Sequence, residues 1–327
     1  MERLIATLRE RLSDAVRVGQ AQRQDGDRRP DSPLIANASV DVPEVDALGI
    51  FTTADAESAV YWEQPSRAQA FVGLGSALSI TPTGADRFTH LARQWSDIAE
   101  SAVGPADEDG PSLFGVGAFA FDAERPSDSV WDGFPRNVWT APSVVVRRID
   151  DRCMLQAQIA VPASREPAPL DDLTALLRTA SATDGIGEAT EDVSGRPDLR
   201  LRDPESRSWW DASVGGVLDR IERGDLDKLV LARRIEARAD GPLSVGAILA
   251  GLRARFPQAT IFAFRRGARC FLGATPERLV SLCGRRVSTS AVAGTSWNGA
   301  REAVGSAAFL ADPKERREHA YVVDALR

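Results

Sequence analysis

The chain has 327 residues, 43% hydrophobic and 27% charged, a composition that supports a full core and excludes wholesale disorder. Its net charge of -7 argues against a nonspecific nucleic-acid binder, which needs a net basic footprint. No apolar run reaches membrane-spanning length and Met1 to Gln24 lacks the apolar centre of a signal peptide, so a cytoplasmic protein without membrane attachment is expected.

Leu4, Leu8, Leu12 and Val16 recur at helical spacing and predict a helix over residues 1–24, followed by a polar, turn-rich stretch at 25–33. Short strands are predicted at Phe51–Thr53, Ala68–Leu78 and Leu113–Phe121. A helix at Asp86–Ala102 puts Leu91, Trp95 and Ile98 on one side. Gly115 and Gly117 sit within a strand-like run, where close backbone packing is the better explanation. Val138–Thr140 and Ser143–Arg148 look extended, and Cys153–Val161 pairs with the latter as an antiparallel hairpin across Ile149–Arg152. Leu170–Leu177 reads as a short helix. Thr179–Glu205 is rich in Gly, Ser, Thr and Asp and reads as a surface connection. The chain is therefore expected to form one domain, with a sheet and helix portion at 1–178, a flexible connection at 179–207 and a motif-bearing region at 208–327. In that region helices are predicted at Ser208–Arg223, Val245–Arg255 and Pro313–Arg327. Strands are predicted at Lys228–Ala237, Thr260–Arg265, Arg269–Gly273, Arg278–Cys283 and Arg286–Val292. Many short strands with interspersed helices predict an α+β protein with mixed or antiparallel sheets packed together and helices outside.

Of the 40 lysines and arginines only two are lysines, Lys228 and Lys314, and His90 and His319 are the only histidines. Cys153, Cys270 and Cys283 are widely spaced and read as buried or incidental thiols. That inventory argues against a transition-metal site and leaves an oxygen-ligated magnesium site open. No dinucleotide fingerprint, P-loop, HExxH or nucleophile elbow is present. Lys228, near the start of a predicted strand with Val230 and Ala232 on its face, can be partly desolvated for general-base work, but read alone the exposed end of a strand is the better explanation. Glu277, after Gly273 and Pro276, stands at a corner from which a carboxyl can enter a cleft as a general acid, or simply face solvent. In TSAVAGT, Thr289–Thr295, the amides of Gly294 and Thr295 can bind an anion, or the small side chains merely permit dense packing. Asp312 is a good helix N-cap with Pro313 at N1 and Glu315 at N3, which predicts a capping box. Glu315 and Glu318 share one helical face, where they can serve Mg²⁺ or, alternatively, cap the helix and pair with arginine or solvent.

Taken together, KLVLAR at Lys228–Arg233, GATPERLVS at Gly273–Ser281, AVAGT at Ala291–Thr295 and KERREH at Lys314–His319 resemble the chorismate-binding enzyme family in order and spacing. The resemblance is clear over 208–327 and weaker before it. It implies the large chorismate-utilising α+β fold. Lys228 matches the lysine that serves as base in members that add water; Ala291 stands where anthranilate and aminodeoxychorismate synthases typically have proline, and Ala293 where some carry a nucleophilic lysine. The resemblance therefore implies the water-adding branch: chorismate to isochorismate, feeding menaquinone or catecholate siderophore synthesis. Salicylate formation by later pyruvate loss is the alternative. It implies Lys228 as general base, Glu277 as general acid, Ala293, Gly294 and Thr295 as substrate contacts, and Mg²⁺ held by Glu318 with Glu315 in the same acidic shell. The implied partner is chorismate alone, with no nucleic acid or membrane, in a monomer or weak homo-oligomer. Family members continue well past the KERREH helix, so the resemblance also implies a C-terminally truncated chain. That chain would have an incomplete sheet and metal site, which leaves an inactive chorismate-binding remnant as the non-enzymatic alternative.

Overall fold

The computed structural model describes residues 2–24, 33–104, 113–124, 129–162, 175–178, 198–294 and 310–327. In chain order these form α1 (Glu2–Gln24), β1 (Ile35–Val42), α2 (Ala47–Thr53), β2 (Ser58–Gln64), β3 (Gln69–Leu74), β4 (Leu78–Ile80), α3 (Arg87–Ser101), β5 (Val116–Phe119), β6 (Asn137–Ala141), β7 (Val144–Ile149) and β8 (Arg152–Ala160). There follow β9 (Leu199–Arg202), α4 (Arg207–Glu222), β10 (Glu236–Ala239), α5 (Val245–Arg255), β11 (Thr260–Arg266), β12 (Arg269–Thr275), β13 (Ser281–Cys283), β14 (Arg286–Ser288) and α6 (Pro313–Leu326). They divide into two compact units, Met1–Glu191 with Ser244–Pro276, and Asp192–Leu243 with Glu277–Arg327. Among the described residues no helix is long and apolar enough to cross a membrane.

The larger unit is built on a seven-stranded antiparallel sheet of order β1-β8-β7-β3-β2-β11-β12. Leu8, Leu12 and Val16 of α1 are buried in one core with Leu48, Ile50 and Phe51 of α2 and Leu249 of α5, so these helices cover one face. Successive strand residues point to opposite faces, and Ile35 joins a second cluster with Ile98 of α3 and Ala141 of β6. A three-stranded antiparallel sheet of order β4-β6-β5 belongs to that side. The expected hairpin is present: β7 and β8 close across Ile149 and Arg152, with Asp150 in the left-handed region at φ 55°. Close packing at the paired glycines is also present, since a Cβ on Gly115 or Gly117 would lie 2.5 or 2.7 Å from the Trp139 indole.

One predicted strand is a helix instead. Phe51–Thr53 ends α2, whose start is capped by Asp46 accepting from the amides of Leu48 at 3.2 Å and Gly49 at 3.0 Å. The cap and the burial of Leu48, Ile50 and Phe51 decide the conformation of this segment. Of the expected helix at Leu170–Leu177, residues 170–174 lie outside the described residues and 175–178 are helical.

The smaller unit contains α4, α6 and two two-stranded ribbons, β9 with β10 and β13 with β14. None of its described residues is buried. The strand expected at Lys228–Ala237 is reduced to Glu236–Ala239, paired with Leu199–Arg202. Among the described residues no strand runs beside 228–235 to take up its backbone hydrogen bonds, so apolar alternation there does not yield a strand. Residues 199–202, expected within the surface connection, are thus a paired strand, and 179–197 lie outside the described residues.

A buried carboxylate joins the two sequence stretches of the larger unit. Glu63 on β2 accepts from Arg253 Nε of α5 at 2.7 Å, from Arg148 of β7 at 3.3 Å and from the Tyr61 hydroxyl. Arg253 also donates to the α2 cap, Asp46, at 3.0 Å. Burial, with the Glu63 charge beside it, pushes the Tyr61 hydroxyl well above the ordinary tyrosine value of 10.0. Arg253→Met leaves Glu63, 5% exposed, short of its best donor. Denaturant unfolding is expected to show a loss of about 3 kcal/mol, and a loss below about 1 kcal/mol would mark the contact as an ordinary surface pair. Because the folded state holds the Tyr61 proton more tightly than the unfolded chain, that stability is complete below about pH 10 and declines as pH rises further. Tyr61→Phe is expected to flatten the alkaline limb of the melting-temperature profile; an unchanged limb would assign it to other groups.

Candidate functional site

Helix α6 organises the smaller unit's polar cluster. Asp312 caps it, its carboxylate accepting from the amides of Lys314 at 2.7 Å and Glu315 at 3.2 Å, and Pro313 occupies the first turn. The reciprocal half of the expected capping box does not form. Glu315 instead accepts from Lys314 Nζ at 2.8 Å through Oε1, while its Oε2 is buried without a hydrogen-bond partner. Lys314 Nζ also lies 3.5 Å from Glu318 Oε2, one helical turn on. These two carboxylates raise Lys314 above the ordinary lysine value, the Glu315 hydrogen bond first.

Lys228 reaches the same carboxylate. Its ammonium donates to the Glu318 carbonyl at 3.4 Å and lies 3.8 Å from Glu318 Oε1. The lysine side chain is 24% exposed and that of Glu318 32%. Both lysines of the chain therefore converge on Glu318. The strand expected to carry Lys228 is absent, and Val230, expected to shield it, is 78% exposed. Glu277 is exposed, in the segment between β12 and β13 that belongs to neither strand. Ala293 and Gly294 are half-buried in unpaired chain, and Gly294 has φ 89°, a left-handed conformation that only glycine adopts without strain. Thr295 lies outside the described residues.

Sequence reasoning placed Glu315 and Glu318 together but missed the bridge by Lys314. The available signal was lysine scarcity combined with i,i+4 spacing from Lys314 to Glu318. Among the described residues no three His, Cys, Asp or Glu side chains form a metal-holding group. A buried carboxylate oxygen with no donor nevertheless fits a hard cation, which takes oxygen ligands.

Residues 20–327 match the profile of a family described as "Chorismate binding enzyme". The chain is 31% identical over 320 residues to the salicylate biosynthesis isochorismate synthase of Pseudomonas aeruginosa, covering 95% of this chain and 63% of that protein. It is 26% identical over 277 residues to the isochorismate synthase MenF of Bacillus subtilis, covering 80% of this chain and 57% of that protein. The chain thus spans about three fifths of the length of these curated relatives. The solved structure of MenF, the menaquinone-specific isochorismate synthase from Escherichia coli, superposes with a TM-score of 0.64 at 21% identity. That superposition covers 96% of this chain and 67% of MenF, and its antiparallel sheets with peripheral helices are the fold that the motifs implied.

Proposed function

The chain belongs to the chorismate-binding enzyme family, and on that footing we propose that it is an isochorismate synthase acting on chorismate in the cytoplasm. The observation that carries this reading is the meeting of Lys228 with Glu318 of α6, two motifs separated by 90 positions. In this reading Lys228 acts as the neutral amine, released from its pairing with Glu318, and removes a proton from the water that attacks ring C2. Glu277 protonates the C4 hydroxyl, which leaves as water while the ring double bond shifts. One water enters and one leaves, so the product is an isomer of the substrate. Base and acid must then act at different ring carbons, which fits their origin on separate segments.

The positive φ of Gly294 gives the chain beside Ala293 a turn-like conformation, which suits the Ala293–Gly294 amides to binding a substrate carboxylate. Glu318, with Glu315, would hold Mg²⁺, which when bound supplies positive charge against a substrate carboxylate. Lys314 is the competing cation at both carboxylates and must yield to any metal there.

Incubation of the chain with chorismate, followed by chromatography, is expected to give isochorismate. Salicylate would instead place pyruvate elimination after the same addition, and absence of turnover would overturn the assignment for this chain. Lys228→Ala is expected to abolish product, while its melting point stays close to that of the parent because partly exposed ion pairs contribute at most about 1 kcal/mol. Glu277→Gln should reduce turnover by roughly 10²–10⁴-fold, and near-normal turnover in either variant would reject its role. Independently of activity, millimolar Mg²⁺ is expected to raise the melting temperature. A rise that survives Glu318→Gln would locate the metal elsewhere.

A further inference from the structure

Between its two sheets the larger unit forms a pocket, partly open to solvent, of about 680 Å³, well within the size of small-molecule sites. Strand register builds one wall: Val60 of β2 pairs with Phe264 of β11, which pairs with Phe271 of β12, and all three line the space. Phe119 of β5 and Val138 and Thr140 of β6 line it from the smaller sheet. Trp131 stands edge-on to Phe271 with ring centres 5.1 Å apart and is itself partly exposed. Three hydroxyls form a hydrogen-bonded run along the lining, Ser76 to Ser79 at 2.9 Å and Ser79 to Thr140 at 3.1 Å. The space is thus apolar and aromatic with a small polar margin.

Its charge is opposite to that of the whole chain. Against a net charge of -7, Arg136 and Arg266 line the pocket with a single carboxylate, Asp122, while Arg265 contributes to the lining but turns its guanidinium to the other face of β11. Arg265 is engaged elsewhere, donating to the Ala54 carbonyl at 2.5 Å with its guanidinium over the Phe51 ring. Arg136 donates to the Asp122 carbonyl at 2.7 Å. The Arg266 guanidinium, at the strand end paired with Ser58, has no ion pair or hydrogen bond among the described residues. Aromatic walls favour a flat ring, and an uncommitted guanidinium fork favours a carboxylate.

We propose that this cavity binds a small aromatic carboxylate, with the ring among Phe119, Trp131, Phe264 and Phe271 and the carboxylate on Arg266. None of Lys228, Glu277, Glu315 or Glu318 lines it, so it is a second small-molecule site and does not depend on the catalytic reading.

Calorimetric titration of the full chain with 2-naphthoate is expected to show saturable binding at submillimolar concentration. Arg266→Gln should weaken it about tenfold or more, as should replacing the ligand by neutral 2-naphthylmethanol, because each removes one half of a charge-assisted contact. Phe271→Ala should also weaken it. Arg266 is exposed at a strand end, so its variant keeps the fold and gives the decisive comparison. Lys228→Ala should leave the affinity unchanged. The proposal is overturned by absence of binding, by binding indifferent to Arg266→Gln, or by binding lost in Lys228→Ala, which would place the ligand at the catalytic residues instead.

Discussion

A carboxylate taken out of water must be given partners, and in the larger unit that requirement ties together segments far apart in sequence. Glu63 cannot be buried on β2 without the guanidinium of Arg253, and Arg253 sits on a helix 190 residues later. The same guanidinium reaches the cap of α2, so three elements are fixed around one charge. Hydrophobic packing of Leu249 supplies affinity between α5 and the sheet, but packing alone permits sliding. The directional contacts of Arg253 select one position. The adjoining strand β11 can then meet β2 in its observed register, with Ile261 opposite Glu63.

What could be read from sequence was what local chemistry decides. The helical spacing of Leu8, Leu12 and Val16 located α1, and the residues flanking Asp150 located the β7–β8 hairpin. Val245–Arg255 was read with its observed bounds, and in the structure Ser244 caps its start. Partnership was harder to read. The run from Lys228 to Ile235 alternates like a strand, yet a strand needs a neighbour that sequence does not reveal. Leu199–Arg202 carries two arginines and looks like a surface loop until Glu236–Ala239 lies beside it. Glu63 escaped notice for the same reason, since nothing near position 63 announces an arginine at 253.

The candidate site divides along the same line. Each motif could be found in the sequence, and the rarity of lysine drew attention to Lys228. Placement of both lysines against Glu318 is a tertiary fact. An ammonium is a compact, strongly hydrated point charge, and one such group can bridge two carboxylates on a single helical turn, as Lys314 does. A chain that uses arginine almost everywhere has placed both of its lysines at one carboxylate cluster.

The position of β2 also bears on synthesis of the protein. Its two neighbours are β3, which follows within a few residues, and β11, which begins at Thr260. As the chain leaves the ribosome from its N-terminus, the outer edge of β2 remains an open row of amide and carbonyl groups until residues 260–266 emerge. The larger unit therefore cannot complete its sheet before that point in translation. Its folding is dominated by long-range pairing, which slows the final step and gives chaperones a defined surface to guard: the unpaired edge Ser58–Gln64.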